Sequence, residues 1–366
     1  MKKSLQCSCE FVREERRREA GRKKKRLVMV ALLLAVILLG VACSSVHRTS
    51  PPRTRTVFAM DTVMTLCGYG NHADAAEEAL EQALHAMDRA WSRTNPIGSI
   101  YQLNHASGKA IPVEDDVAAM LSSAQVWSRS TGGAFDLTVA PLSDLWGFPT
   151  RQFRIPEEAE LTQTLAHVGM EHLHLAGGAV RLDLGTGIDL GGIAKGRGAE
   201  EAWRIFAEAG VRHGFANLGG DVMLLGGRPD GSPWRVAVQD PQNPEGSRGT
   251  LALREGFVLT SGDNQRYFME DGVRYHHILD PKTGRPARTD LHSVTVVAPL
   301  EEGNGMMCDA LSTALFVLGE REAVRYWQDH RDTFDMVLVT ADGRTVVTPG
   351  LRDSFTPTGD APAEFL

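Results

Sequence analysis

Cysteine is scarce in this sequence, with five residues among 366. So few cysteines cannot form the dense disulfide scaffold of a small secreted protein, although Cys67 and Cys308 could pair in an oxidising compartment. The sequence also lacks internal repeats and, beyond its N-terminal region, low-complexity blocks. Its 42% hydrophobic and 23% charged residues are typical of a globular protein, which excludes a fibrous or disordered chain.

Basic residues are outnumbered by acidic ones, 39 against 46, which gives a net charge of −7. The deficit is uneven, because residues 1–26 contain 11 Lys and Arg but only 4 Asp and Glu, a net of +7. The rest of the chain therefore has 28 basic and 42 acidic residues, a net of −14. So acidic a body argues against a nucleic-acid-binding protein, which needs an excess of Lys and Arg on at least one face.

The uncharged apolar run at 27–41 has 15 residues, the length of a signal-peptide core and short of the roughly 20 that span a bilayer. It follows the basic segment and ends at small residues before Cys43, as in bacterial lipoproteins. We therefore predict a signal peptide over 1–42 and lipid attachment at Cys43. Gly40 stands where such signals usually have leucine, so an uncleaved anchor is the alternative. Both place the acidic body at the inner membrane, facing the periplasm.

Residues 43–56 are polar and contain two prolines, as expected of a tether. Helical and strand patterns then follow without regular alternation, which predicts an α+β domain over 57–350 and a C-terminal tail over 351–366. Helices are predicted over Ala73–Trp91, Glu114–Arg129, Ala194–Ala209, Met306–Leu318 and Glu320–His330. Strands are predicted over Val57–Leu66, Val180–Leu184, Phe215–Leu218, Val222–Leu225, Trp234–Val238, Phe257–Thr260, Leu291–Ala298 and Met336–Thr340.

The first segment that could take part in ligand binding or catalysis is Thr131–Leu142, in which two glycines follow the end of a predicted helix. Paired glycines permit a close approach of the backbone to a ligand, and Phe135 could cover a flat ring. Asp136 and Thr138 could add polar contacts. The alternative is a helix end followed by a strand, with no ligand.

The second segment is Gly185–Gly196, in which a strand passes through glycines into a helix with Lys195 in its first turn. Free backbone N–H groups, the positive end of the helix dipole and a lysine would together hold a phosphate. The spacing fits neither a Walker A motif nor a dinucleotide fingerprint. A tight glycine turn that serves packing is the alternative.

The third segment places His276 and His277 before an Asp-Pro-Lys-Thr-Gly turn that begins at Asp280. Neighbouring side chains of a strand point to opposite faces, so only one of the two histidines can face a given site. A histidine beside a carboxylate is the usual arrangement of a general base. A purely structural histidine is the alternative.

The fourth segment opens a helix with Asp309 and Thr313, which are four residues apart and so share a face. A carboxylate and a hydroxyl are hard oxygen donors that suit Mg²⁺, whereas no Cys and His cluster has the spacing of a zinc site. Alternatively, Asp309 is a carboxylate favoured by the dipole at a helix N-terminus.

In this order, the segments resemble the FAD:protein FMN transferase family, also called flavin transferases or ApbE-type proteins. The resemblance covers about residues 57–340 and is carried by Ala59–Thr62, Gly133–Asp136, Leu145–Phe148, Ile188–Gly196, Asn217–Asp221, His277–Gly284 and Asp309–Thr313. It implies one large domain of mixed, mainly antiparallel sheets with flanking helices, of the flavin transferase or T-fold-like type. Family members are commonly exported lipoproteins, in agreement with the N-terminal segment.

The resemblance implies Mg²⁺-dependent transfer of the FMN part of FAD to a threonine hydroxyl of another protein, with release of AMP. The acceptor it points to belongs to a membrane redox complex, a sodium-pumping NADH:quinone reductase or an Rnf-type complex. The implied FAD contacts are Met60, Ala134, Phe135, Asp136, Asp189, Lys195 and the strand backbone of Ile278 and Leu279.

The resemblance also assigns a metal site and a base. The implied metal ligands are Asp309, Thr313, the Gly192 carbonyl and the position of Ser312, where some members have a second aspartate and water could substitute. His277 would take the proton of the acceptor threonine, and Asp280 would orient the turn that follows.

One position departs from the family pattern. A Ser-x-aromatic motif normally supplies a ring that stacks on the flavin, but Ser92-Arg93-Thr94 places Thr94 there. Trp91 or Tyr101 could supply a ring instead. The departure favours, as an alternative, a Mg²⁺-dependent FAD pyrophosphatase that yields FMN and AMP, and a second alternative is a non-enzymatic FAD-binding lipoprotein.

Overall fold

The computed structural model describes residues 54–359 and 363–366. The predicted signal peptide, Cys43 and most of the predicted tether lie outside the described residues. The helices are α1 Ala73–Trp91, α2 Ser99–Asn104, α3 Asp115–Ser130, α4 Ala140–Trp146, α5 Glu158–Leu165, α6 Ala194–Glu208, α7 Asn304–Leu318 and α8 Glu320–Asp329. The strands are β1 Thr54–Ala59, β2 Thr62–Gly68, β3 Ile111–Pro112, β4 Leu173–Ala176, β5 Ala179–Leu182, β6 Gly214–Leu218, β7 Val222–Leu225, β8 Trp234–Asp240, β9 Asn243–Leu253, β10 Gly256–Gly262, β11 Tyr267–Glu270, β12 Val273–His276, β13 Leu291–Ala298, β14 Asp335–Thr340, β15 Thr345–Val347, β16 Phe355–Pro357 and β17 Ala363–Phe365.

A nine-stranded sheet forms the centre of the domain, in the order β1-β2-β6-β7-β10-β13-β14-β15-β17. Every neighbouring pair is antiparallel except β15 with β17. Smaller sheets are formed by β16-β9-β8, β3-β5-β4 and the hairpin β11-β12. The predicted α+β class with mainly antiparallel sheets is therefore confirmed.

Helices cover one face of the central sheet, and the β8-β9-β16 sheet covers the other. Phe257 and Leu259 of β10 point toward the helices α1, α6 and α7, whereas Val258 between them packs against Trp234 and Leu251 of the small sheet. Because both faces of the central strands are buried, β7 is entirely apolar and β14 contains the apolar run Met336–Val339. This burial fixes the register of the strands that carry the site.

Helices α6 and α7 cross at unusually short range, and the crossing positions the site. A Cβ atom at Gly196 would lie 2.3 Å from the Gly305 carbonyl oxygen, so only glycine permits this approach. Glu200, one turn further along α6, accepts a hydrogen bond of 2.9 Å from the N–H of Met306 in the first turn of α7. The crossing places Lys195 and Asp309 on facing helices.

Most predicted elements differ from the structure by a few residues at their ends, and two differences change the description of the domain. The strand predicted over Val57–Leu66 is a hairpin, because Met60 and Asp61 have φ angles of 49° and 58° and turn the chain between β1 and β2. The predicted tail, 351–366, contributes β16 and β17, and the side chain of Phe355 is buried. The folded domain therefore continues past residue 350, and its strand β1 includes Thr54–Thr56 of the predicted tether.

Cys67 and Cys308 are both buried and free, so the structure contains no disulfide between them. Among the helices of residues 54–359, none is long and apolar enough to cross a membrane.

Candidate functional site

Three charged side chains meet where β7, α6 and α7 approach one another. The Lys195 ammonium is paired with the Asp221 carboxylate, and Asp309 lies close to both. Burial alone lowers the pKa of Lys195, but the carboxylates of Asp221 and Asp309 outweigh it and hold that pKa above its ordinary value. Burial and the negative charge of Asp221 raise the pKa of Asp309 well above its ordinary range. The site therefore holds one cation between two buried carboxylates.

Backbone N–H groups fix both carboxylates. Oδ2 of Asp309 accepts a hydrogen bond of 2.8 Å from the N–H of Gly196 in the first turn of α6. Oδ1 of Asp221 accepts one of 2.8 Å from the N–H of Thr260 on β10. These bonds explain how buried carboxylates are tolerated there, since each is satisfied by directed donors.

Hydroxyl groups extend the cluster next to Asp309. Ser261 Oγ on β10 lies 2.8 Å from Ser312 Oγ and 3.0 Å from Thr313 Oγ1 on α7. The backbone of Gly192 is close by, because a Cβ atom there would lie 3.9 Å from Thr313 Oγ1. The structure thus gathers the predicted metal residues, all of which offer oxygen.

Asp309 is the only carboxylate among the four predicted metal ligands. Within the described residues, no three His, Cys, Asp or Glu side chains converge as ligands for a metal ion. Oxygen donors with a single carboxylate fit Mg²⁺, which usually keeps several waters and is shared with substrate phosphates.

His277 lies at the edge of the cluster, directly after β12. Its N–H donates to the Arg266 carbonyl oxygen at 2.9 Å, and its ring Nδ1 lies 3.2 Å from the same oxygen. Burial, together with the positive charge of Arg266, lowers the pKa of His277 to about 3. The ring is therefore neutral at physiological pH, and a proton on Nδ1 leaves Nε2 as the free acceptor.

His276, the last residue of β12, has a different environment. It is buried, Nε2 lies 3.1 Å from the Ala287 carbonyl oxygen, and the ring meets Phe316 edge to face. Burial lowers its pKa, so it is a neutral structural residue. Of the two neighbouring histidines, only His277 is placed for chemistry.

Asp280 holds the turn that follows His277. Its side chain accepts hydrogen bonds from the Lys282 N–H at 2.9 Å and from Thr283 Oγ1 at 3.1 Å. Its backbone carbonyl accepts one from the Gly284 N–H at 2.8 Å. Asp280 therefore fixes the turn through three hydrogen bonds, and its role in catalysis stays a prediction.

Ala134 and Phe135 are buried, and Phe135 is only 2% exposed. Its ring packs edge to face on Trp127 and lies 3.0 Å from the position of a Cβ atom at Gly192. The buried position of the Phe135 ring does not support the expectation that it covers a flat ligand. The ring packs instead against the glycine loop at Gly192. Asp136 accepts hydrogen bonds from its near neighbour Thr138, at 2.7 Å from the backbone N–H and 2.5 Å from Oγ1.

The remaining implied FAD contacts lie in turns and loops. Met60, with its positive φ, donates its N–H to Asp88 at 3.1 Å. Thr94 is exposed and its side chain bonds only to Ser92. Ile278 and Leu279 are buried and lie beyond the end of β12, with Leu279 forming an isolated bridge to Pro286. The expected strand does not extend over these two residues.

A profile of the ApbE family matches residues 60–338, which is most of the chain. The chain belongs to the ApbE family. It is 34% identical over 243 residues to the FAD:protein FMN transferase of Vibrio cholerae, covering 65% of this chain and 72% of that protein. It is 30% identical over 332 residues to the protein of the same name from Klebsiella pneumoniae, covering 86% and 94%.

Solved ApbE structures have the same fold. The ApbE protein of Thermotoga maritima superposes with a TM-score of 0.76 at 31% identity, covering 81% of this chain and 96% of that one. The apo flavinyl transferase ApbE of Pseudomonas stutzeri gives 0.74 at 28% identity, with 84% and 98% covered.

Three residues of this ApbE-family site were not predicted as site residues: Asp221, Ser261 and Arg266. Asp221 ends the segment Asn217–Asp221, and its burial beside Lys195 is the result of strand pairing between β6 and β7. Ser261 lies on β10, and no local pattern marks it. Arg266 adds a positive charge that acts on both His277 and Lys195.

Proposed function

We propose that the chain transfers the FMN part of FAD to a threonine hydroxyl of an acceptor protein, with Mg²⁺, and releases AMP. The observation that carries the proposal is the meeting of Lys195, Asp309 and the hydroxyls of Ser312 and Thr313 beside a neutral His277. The names of the curated relatives, FAD:protein FMN transferase, support the same activity.

The residues that would hold Mg²⁺ are Asp309, Ser312, Thr313 and the carbonyl of Gly192, with water completing the shell. A bound Mg²⁺ neutralises phosphate charge and fixes its geometry. Asp309 is preset for this role by the N–H of Gly196, which fixes its Oδ2. The raised pKa of Asp309 reflects a buried carboxylate that gains from a nearby cation.

Lys195 and the positive end of the α6 dipole would bind the pyrophosphate of FAD. They lie in a body of net charge −14 outside residues 1–26, so local positive charge is needed to attract this anion. Asp221 keeps the lysine charged and restricts its side chain to one position.

His277 would act as the base. The threonine oxygen attacks the FMN phosphorus, the bond from that phosphorus to the bridging oxygen breaks, and AMP leaves with the electron pair. The hydroxyl proton passes to Nε2 of His277, which the Nδ1 contact with Arg266 leaves free. A positioned base of this kind contributes about 10²- to 10⁴-fold to a rate.

FAD pyrophosphatase activity remains the second candidate, because Thr94 is exposed and no ring occupies its position. The aromatic alternatives are engaged elsewhere: Trp91 is largely buried, and Tyr101 stacks on His105. In that case water would take the place of the threonine hydroxyl, and His277 would accept its proton. A binding protein without turnover is the third candidate.

We further propose that the mature protein is anchored by a lipid on Cys43 to the inner membrane and faces the periplasm. The supporting observation is the basic segment followed by a 15-residue apolar run and Cys43. An acceptor in a membrane redox complex, a sodium-pumping NADH:quinone reductase or an Rnf-type subunit, would then lie within reach.

Variants of the metal residues test this proposal. Asp309→Asn should keep the fold but lose Mg²⁺ binding, measured by calorimetry with FAD present, and lose the Mg²⁺-dependent conversion of FAD. Asp332→Asn, at an exposed aspartate, is the matched control and should bind Mg²⁺ like the wild type. Normal Mg²⁺ binding and turnover in Asp309→Asn would refute the proposed metal site.

A further inference from the structure

Arg93 joins three chain segments that are distant in sequence. Its Nη2 donates to Asp144 Oδ2 at 2.5 Å and to the Ala140 carbonyl oxygen at 3.4 Å, both on α4. Its Nη1 donates to Asp189 Oδ2 at 3.1 Å, in the loop before α6. The arginine side chain is only 16% exposed. These bonds connect the loop after α1 to the glycine loop of the site.

The same Asp189 holds the glycine loop through its second oxygen. Oδ1 accepts a hydrogen bond of 2.8 Å from the Gly191 N–H, and the backbone N–H of Asp189 donates to Leu137 at 2.9 Å. The next residue, Gly192, lies between the Phe135 ring and Thr313 Oγ1. Rotation of the Asp189 carboxylate would therefore break its hydrogen bond to the backbone that borders the hydroxyl cluster.

We propose that Arg93 is a positioning residue that fixes the Asp189 carboxylate and, through it, the Gly191-Gly192 loop, which lies between the two implied FAD contacts Asp189 and Lys195. The inference rests on the proposed function for the identity of the ligand. A guanidinium suits this role because its planar fork binds two carboxylates at once, whereas an ammonium offers a single point of charge. Arg93 stands beside Thr94, where this chain has no ring for the flavin.

The inference is tested independently of turnover by measuring the Kd for FAD without Mg²⁺ or acceptor. Quenching of flavin fluorescence reports the binding. Arg93→Gln should raise the Kd for FAD about ten-fold, the effect of losing a charged hydrogen bond. Arg93→Lys should recover only part of that loss, because an ammonium keeps a charge beside Asp189 but does not bind both carboxylates at once. Arg204→Gln is the matched control, since Arg204 also bridges two carboxylates, Glu201 and Glu208, but on the far part of α6.

A double-mutant cycle decides whether Arg93 acts through Asp189. In an Asp189→Asn background, Arg93→Gln should change the Kd by less than about two-fold, because the contact is already lost. If Arg93→Gln does not fold, Asp144→Asn replaces it, since that change removes one of the two carboxylates that orient the guanidinium.

The outcomes separate this inference from the proposed function. Additive effects in the cycle, or an Arg93→Gln variant that binds FAD like Arg204→Gln, contradict the positioning role and leave the transferase proposal intact. Coupled effects on FAD binding in a protein that modifies no acceptor support the positioning role and contradict the transfer.

Discussion

The side chains of Lys195 and Asp221 form an ion pair in the centre of the site, although 26 residues separate them in sequence. Asp221 is 2% exposed at its side chain and Lys195 is 23% exposed, so the carboxylate depends on this partner. Breaking a buried pair by removing one member leaves an uncompensated charge.

We expect Lys195→Met to lower the free energy of unfolding by about 3 kcal/mol, because Asp221 and Asp309 then face each other without a cation. Asp221→Asn should cost less, since asparagine still accepts the N–H of Thr260. Urea denaturation of both single variants and the double variant gives the coupling energy. A double variant that loses the full sum of the two single effects would show that the pair contributes nothing.

His277→Ala should reduce the rate of FMN transfer by about 10²- to 10⁴-fold while FAD still binds. Because the pKa of His277 is about 3, the ring is neutral at both pH 6 and pH 8. The ratio of wild-type to variant rates should therefore be the same at these two pH values. His330→Ala, at the end of α8, is the control variant.

Two results would contradict the prediction for His277. A ratio of wild-type to His277→Ala rates that is much smaller at pH 6 than at pH 8 would mean that the ring is protonated at pH 6. A His277→Ala rate equal to that of the wild type would remove His277 from the mechanism.

Glu200 makes the stability of the protein depend on pH, and it is not one of the candidate metal ligands. Burial raises the pKa of Glu200 to about 7, although the Met306 N–H and Arg197 favour its charged form. The folded state thus holds a proton that the unfolded state releases near pH 4.5, so this contribution to stability is lost as the pH rises toward 7.

Glu200→Gln removes that titration and keeps an acceptor for Met306. The difference in unfolding free energy, wild type minus variant, should fall by about 1–3 kcal/mol between pH 5 and pH 8. Denaturant titrations at the two pH values measure it. A difference independent of pH would mean that Glu200 is ionised at both.

Gly196→Ala should destabilise the protein by about 1–3 kcal/mol or more, because the new Cβ atom would lie 2.3 Å from a backbone oxygen of α7. Gly198→Ala is the matched control on the same helix. Its Cβ atom would meet only side-chain methyl groups, of Leu218 at 3.2 Å and Leu84 at 3.3 Å, and alanine favours the helix. Equal thermal stability of the two variants would contradict the close crossing of α6 and α7.

Long periodic segments were predictable from the sequence. The bounds of α1 and β13 match the predictions at both ends, since each has one strongly patterned stretch between clear turn residues. Strand β9 was missed because most of its side chains are at least partly exposed, and it contains proline and glycine. Helix α4 was missed because it has only seven residues and follows directly from the glycine segment.

The site was predictable only where a motif carries its residues. Lys195, Asp309 and His277 each lie in a distinctive local pattern, and the structure brings them together. Ser261 and Arg93 act through contacts that depend on strand pairing and on loop packing, with partners 51 and 96 residues away. No local sequence pattern encodes such distances.

The ratio of AMP released to FMN attached tests the central claim most directly. The protein is incubated with FAD, Mg²⁺ and an acceptor subunit of a membrane redox complex, AMP is quantified by chromatography, and the acceptor is weighed by mass spectrometry. We predict one AMP for each FMN added to the acceptor, and no addition when the modified threonine is changed to valine. AMP and free FMN without any gain in acceptor mass would contradict transfer and establish hydrolysis.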